Sequence, residues 1–144
     1  MERNSRDFRR RTGIIDKNTE AICDFLRTQT SIVKEVYYPK YTTPEHYARC
    51  QVTGGGYGGL FSITFHKPEA SRAFFDALPF YKGPSLGTNF TLVCPYTILG
   101  HYLELDWAAG YGVDPNLVRV SIGMEDLQVL LQGFQTALDA AKAV

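Results

Sequence analysis

The stretch "LVRVSIGMEDLQVLLQGFQTALDAAKAV", residues 117–144, constrains the fold more than any other. Val118, Val120 and Ile122 alternate with Leu117, Arg119 and Ser121, the period-two pattern of a strand whose faces meet different surroundings. Leu127, Leu130, Leu131, Phe134, Leu138 and Ala141 then fall on one stripe of a helix. A strand with a branched apolar face, followed at once by an amphipathic helix, predicts a helical layer packed on a sheet. Arg119 then points away from the helices. Two readings stand open for it. It is an edge arginine that faces water or pairs with an acid, or it is a fixed guanidinium fork for a carboxylate.

The rest of the chain supplies the other pieces of that layer. Asn4 and Ser5 are candidate caps for a long first helix that carries Ile15, Ile22, Phe25 and Leu26 on one face and ends near Thr28. "IVKEVYYP" reads as a strand stopped by Pro39. "TPEHYARC" reads as a short helix with a threonine cap and Pro44 at its first position. "LFSITF" is a strand, and "PEASRAFFDAL" a helix with Phe74, Leu78 and Phe75 inward. "YKGPSLGTNFTLVCP" reads as two short extended pieces joined by a turn, and "YTILGHYLEL" as a short helix. The sum is an α+β fold, a two-layer sandwich of a small, mostly antiparallel sheet with helices on one face and the other face open.

The chain has 144 residues, which predicts a single domain with a core of its own, burying about two-thirds of the surface of the unfolded chain. Fifteen basic and fifteen acidic residues cancel, so no global field gathers nucleic acid or an anionic membrane. "MERNSRDFRRR" lacks the apolar segment of a signal peptide, and no stretch approaches the ~20 apolar residues of a membrane span. These features predict a cytoplasmic protein with no nucleic-acid or membrane partner.

Cys23, Cys50 and Cys94 form no CxxC pair, and His46, His66 and His101 show no metal-ligand spacing, so no metal is expected. The cysteines suit small buried hydrophobic positions, with Cys94 also a candidate for reactivity. "GGGYGG" precedes a strand and lacks a following Lys-Ser/Thr, so it reads as a close-packed lead-in to that strand rather than a phosphate loop. His101 lies near Tyr96, Cys94, Glu104 and Asp106 in sequence and is the most interesting of the histidines, although a satisfied structural histidine is the favoured reading of it.

Three motifs in order, with a fourth matching stretch, add a resemblance. "LVRVSIGMED" resembles the closing signature of the Cys/Met-metabolism family of pyridoxal-phosphate enzymes, matched by Arg119, Ser121, Gly123, Glu125 and Asp126. "YKGPSLGTNFTLVCPYTILGHY" resembles that family's "SLG…SL…P…H" segment through Ser85, Leu86, Gly87, Pro95 and His101. "GGGYGGLFSITF" resembles the glycine–aromatic–glycine strand that starts its C-terminal sheet, and "VYYPKY" its tyrosine–proline strand end. The spelling is most similar to fungal cystathionine γ-synthase-like members.

The resemblance implies the C-terminal domain of a fold-type I enzyme. Arg119 would bind a substrate α-carboxylate, and Ser85, Leu86 and Thr88 would line the substrate pocket, Thr88 standing where the family commonly has a second glycine. The family's Schiff-base lysine, pyridine-nitrogen aspartate and phosphate cup belong to an N-terminal domain expected to be absent here. No cofactor is therefore expected on this chain alone, although pyridoxal phosphate serves the complete family. The expected partners are a small carboxylate or amino-acid-like ligand, a second copy, or a cofactor-binding domain. Alternative expectations are a non-catalytic binding or regulatory module, or a scaffold recruited as a cofactor-independent cyclase or isomerase in fungal secondary metabolism. Tyr57, Tyr96 and His101 would be its catalytic groups, with Cys94, Glu104, Asp106 and Trp107 around them.

Overall fold

A computed structural model describes residues 2–144, with the side chain of Asn4 outside the described residues. Helices α1 (Glu2–Ser5) and α2 (Phe8–Arg27) precede strand β1 (Val33–Tyr37) and helix α3 (Pro44–Ala48). Strand β2 (Leu60–Phe65), helix α4 (Pro68–Ala77) and strands β3 (Tyr81–Lys82) and β4 (Leu92–Cys94) follow. Then come α5 (Tyr96–His101), a 3₁₀ turn (Tyr102–Glu104), α6 (Leu105–Gly110), β5 (Val118–Ser121) and α7 (Leu127–Lys142).

The sheet has five strands in the order β1-β2-β5-β4-β3. β5 sits at its centre, antiparallel to β2 on one side and to β4 on the other. Its inward residues Val118 and Val120, with Ile122 just beyond, are buried with Phe61, Ile63 and Val93 under α2, α4 and α7. Phe134 of α7 is the hub of this core. Its ring centroid lies 5.6 Å from that of Phe80, 6.1 Å from Phe74 and 6.3 Å from Phe61. Ile22 and Leu26 of α2 and Leu130 and Leu138 of α7 complete it, as the helical stripes predict.

β3 and β4 are parallel neighbours, not the hairpin that "two pieces joined by a turn" suggests. Parallel neighbours cannot share a two-residue turn, so residues 83–91 must run back along the sheet. They do so across the face away from the helices. The Gly87 N–H donates to the outward Ser121 Oγ at 3.0 Å, and outward Arg119 donates to the Pro84 carbonyl. The expected open face is therefore covered over β4 and β5. Ser121 and Cys94 are only 3% and 2% exposed. Large apolar side chains are exposed on the α5–α6 segment, at Leu99, Tyr102, Leu103, Trp107 and Tyr111, and also at Tyr81, Leu86 and Phe90 on β3 and the returning segment.

Two helix beginnings differ from expectation. The first helix breaks after Ser5 and restarts beyond Asp7, whose carboxylate pairs with Arg11 at 2.9 Å. The Ser5 hydroxyl donates to the Glu2 carbonyl and caps nothing in α2. Thr43 stands before Pro44 at the start of α3, but with φ of 55°. Its hydroxyl donates to the Thr42 carbonyl, so no side-chain cap forms. The glycine run packs on α2. A Cβ on Gly56 would overlap the Asp16 side chain, and the Asp16 carboxylate accepts the Gly58 N–H at 2.9 Å. A resident carboxylate thus takes the amide that an anion-binding loop would offer.

The end of β1 is stapled to α2 by charge. Lys40 Nζ lies 2.5 Å from Glu20 and 3.2 Å from Asp24, and the Tyr41 hydroxyl donates to Asp24. Burial alone would raise the Asp24 carboxyl pKa, but the hydrogen bonds from Tyr41 and Lys40 outweigh it and hold the group below its usual range.

Truncating the core hub tests this packing. Phe134→Ala should lower unfolding free energy by about 3–5 kcal/mol, read by urea denaturation. A loss under about 1 kcal/mol would mean that the aromatic cluster is not the core.

Candidate functional site

The outward face of β5 carries the site. Arg119 is aligned with Ser62 of β2 and Cys94 of β4 and is half-buried. Its guanidinium lies 5.0 Å from the centroid of the Tyr96 ring, at cation–π distance, and donates one N–H to the Pro84 carbonyl. Among the described residues it has no ion pair with an acid, although a central strand arginine would ordinarily acquire one. The donors not engaged by Pro84 or Cys94 suit a planar anion.

Three neighbours shape this group. The Cys94 sulfur lies against the guanidinium. Burial pushes the Cys94 thiol above its ordinary pKa, and the Arg119 charge and hydrogen bond only partly offset this. Burial thus disfavours the Cys94 thiolate beside the arginine. Ser85 and Leu86 are exposed on the returning segment, next to the Pro84 carbonyl. Thr88 is half-buried, and its hydroxyl donates to the Phe90 carbonyl at 2.5 Å, which closes its own turn instead of presenting it beside Ser85.

A second group adjoins the first. His101 Nδ1 lies 2.7 Å from Glu104 Oε1. The His101 ring stands edge-on to Tyr96 at 6.0 Å and 6.1 Å from Trp107. Tyr96, His101, Glu104 and Trp107 therefore meet. Asp106, in the first turn of α6, is exposed and makes no hydrogen bond or ion pair among the described residues. Tyr57 does not join them, against expectation. It precedes β2 at the sheet end where the Ile122 N–H donates to the Gly59 carbonyl, whereas the Tyr96 N–H donates to Leu117 at the other end. Tyr57 stacks instead on Tyr47 and Tyr38 at 5.6 and 6.0 Å. Three catalytic groups at opposite ends of a sheet cannot act on one bond, because general acid–base transfer needs hydrogen-bond reach. No group of three or more His, Cys, Asp or Glu side chains among the described residues is placed to hold a metal.

Pro84 and Thr91 escaped the sequence reading. Pro84 acts through its carbonyl, which leaves no residue-type signal. Thr91 receives the Glu125 carboxylate on both its N–H, at 2.5 Å, and its hydroxyl, at 2.9 Å. The signal for that contact was Glu125 itself, an acid beside an apolar run.

The sequence matches the profile of the Cys/Met metabolism PLP-dependent enzymes over residues 7–139. The chain belongs to that family. It is 54% identical over 162 residues to a cystathionine gamma-synthase-like enzyme of Amanita muscaria, covering 99% of this chain and 26% of that protein. It is 49% identical over 147 residues to the cystathionine gamma-synthase of Saccharomyces cerevisiae, covering 98% of this chain and 23% of that one. The chain thus spans about a quarter of the length of these relatives. The crystal structure of cystathionine gamma synthase from Xanthomonas oryzae pv. oryzae in complex with cystathionine superposes with a TM-score of 0.84 at 28% identity. That match covers 98% of this chain and 37% of the crystallised one. The neighbours place the sheet and its helices in the fold of fold-type I pyridoxal-phosphate enzymes. No helix among the described residues is long and apolar enough to cross a membrane.

Thiol chemistry reads the burial directly. Cys50 is exposed, while Cys23 and Cys94 are buried with raised thiol pKa values, burial being the main cause for each. Iodoacetamide at about pH 8 should modify Cys50 in the native protein and all three thiols only after unfolding. The unfolded chain releases thiol protons from about pH 8.5, whereas in the folded chain Cys23 and Cys94 hold theirs to higher pH. Stability should therefore be full below that pH and decline as pH rises through it, seen as a falling urea midpoint. A midpoint that rises from about pH 7.5 to about pH 9.5 would contradict the raised thiols.

Proposed function

We propose that this chain is a substrate-carboxylate domain of a cystathionine γ-synthase-like enzyme, serving amino-acid γ-substitution of the transsulfuration type in the cytoplasm. Arg119 carries the proposal: an outward, half-buried guanidinium held by a backbone carbonyl and an aromatic ring, with no acid of the described residues paired to it. Such a fork suits the carboxylate of an amino-acid-like ligand, and Ser85 and Leu86 are exposed beside it as pocket wall. The cystathionine gamma-synthase and cystathionine gamma-synthase-like enzyme among its relatives support that reaction class.

The residues around Arg119 do not themselves fit pyridoxal phosphate. Its neighbours Pro84, Cys94 and Tyr96 supply neither an amine nor an acid. Lys34 pairs with Asp114, Lys40 with Glu20 and Asp24, and Lys142 with Asp139. Lys67 donates to the Val144 carbonyl, and Lys82 donates to the carbonyls of Phe75 and Leu78 at the end of α4. The cofactor is read as belonging to a partner domain outside these residues. The exposed aromatic α5–α6 segment is the candidate surface for that partner or for a second copy. The cofactor-independent reading rests only on the His101–Glu104 pair, because Tyr57 stands apart.

Titration with L-cystathionine tests the clamp. Arg119→Lys keeps the charge but loses the fork, so binding should weaken about tenfold, or about 1.4 kcal/mol. The melting temperature should stay within a few degrees, because the inward valines carry the packing. A variant that unfolds yet binds normally per folded molecule would make Arg119 structural. In the same preparation, the chain alone should release no ammonia or 2-keto acid from cystathionine or homoserine esters, and release above background would overturn the assignment of the cofactor to a partner.

A further inference from the structure

The stretch from Ser121 to Glu125 is bonded repeatedly to the segment from Gly87 to Thr91. The Gly87 N–H donates to Ser121 Oγ at 3.0 Å, and the Met124 N–H to the Asn89 carbonyl at 2.7 Å. The Gly123 N–H donates to Thr91 Oγ1 at 3.0 Å, and the same hydroxyl donates to Glu125. The other Glu125 oxygen accepts the Thr91 N–H at 2.5 Å. From beneath, the Asn18 side-chain amide of α2 donates to the carbonyls of Gly123 and Glu125 at 3.3 and 2.9 Å. The two backbones touch: a Cβ on Gly123 would overlap the Phe90 backbone.

These bonds are of the strong kind. Two end on the Glu125 carboxylate, and Thr91 and Ser121 are 0% and 3% exposed, where hydrogen bonds gain from the low local dielectric. A surface segment of this length does not need such fastening merely to stay near the sheet. What distinguishes this one is its other end, where the Pro84 carbonyl receives the Arg119 N–H.

We propose that Glu125 and Ser121 are positioning residues for Arg119. They hold residues 84–91 at the one height over β5 where the Pro84 carbonyl selects a single guanidinium orientation, 5.0 Å from the Tyr96 ring centroid. An arginine without an acid partner has many rotamers, and a bidentate carboxylate contact rewards a fork already fixed to within about 10–20°. The inference rests on the reading of Arg119 as a carboxylate clamp and adds how that clamp is aimed.

The test combines L-cystathionine titration with amide hydrogen exchange on the full chain and on Ser121→Ala, Glu125→Gln, Glu125→Ala and Arg119→Lys. Ser121→Ala and Glu125→Ala should speed exchange at Gly87 and Thr91 by at least roughly tenfold while core amides such as Val120 and Phe134 stay protected. Both should weaken cystathionine binding by about three- to tenfold. Glu125→Gln keeps an acceptor for the Thr91 N–H and should fall between wild type and Glu125→Ala. Ser121→Ala removes one hydroxyl and carries the test if Glu125→Ala does not fold. Unchanged affinity in a variant whose Gly87 and Thr91 amides have opened makes the fastening purely structural and overturns the proposal. Unchanged affinity in Arg119→Lys, with those amides still protected, removes the clamp reading itself and is distinguishable from failure of the fastening.

Discussion

Everything on both faces of this molecule is referred to the central position of β5. With neighbours on both sides, the strand has its ladder bonds satisfied and its register fixed by β2 and β4. Its alternation then separates two jobs. Val118 and Val120 feed the core under α7, while Arg119 and Ser121 face the returning segment. A slip by one residue would bury the guanidinium among phenylalanines and expose the valines, a change no local adjustment could offset.

The consequence for the site is a division between what is rigid and what is open. Arg119 is borne by a strand, and its neighbours Cys94 and Tyr96 come from the adjoining strand and the helix after it. Sites built on such elements hold their geometry better than sites carried by loops alone. The His101–Glu104 pair, by contrast, belongs to short helical turns joined end to end, with the rings of Trp107 and Tyr111 tilted against each other at 4.9 Å on the surface. Membership in the Cys/Met-metabolism family fits this plan: the signature residues from Arg119 to Asp126 occupy the strand, its continuation and the cap of α7, where the Asp126 carboxylate accepts the Gln128 N–H at 2.8 Å.

Periodicity made much of this readable from residues alone. The branched alternation of β5, the stripe of α7 and the Pro68 start of α4 each rest on local preferences that the tertiary structure keeps. The outward direction of Arg119 followed from the same alternation. What escaped depends on contacts distant in sequence. The parallel pairing of Tyr81 with Leu92 is a choice among sheet edges, invisible in either short strand. The break near Asp7 and the left-handed Thr43 are settled by side-chain bonds that compete with helix capping. Tyr57 was grouped with Tyr96 by residue type, and only strand direction shows that they sit at opposite sheet ends. The mutual contact of Cys94 and Arg119 likewise needs the register between β4 and β5.

The parallel arrangement of β3 and β4 has a bearing on how such a domain can change through descent. Because the chain must travel back over the outer face between them, residues 83–91 have little room to grow or shrink: added length has Arg119 beneath it and bonded backbone on its flank. The turns from residue 96 to residue 116 are bound mainly at their ends, through Tyr96 to Leu117 and Thr97 to Asp114, and their middle lies on the surface. Insertions and deletions should therefore accumulate there and spare the shorter return. Relatives that share Arg119 would then differ in the wall beside it, so that surface can change while the strand that carries the guanidinium is left untouched.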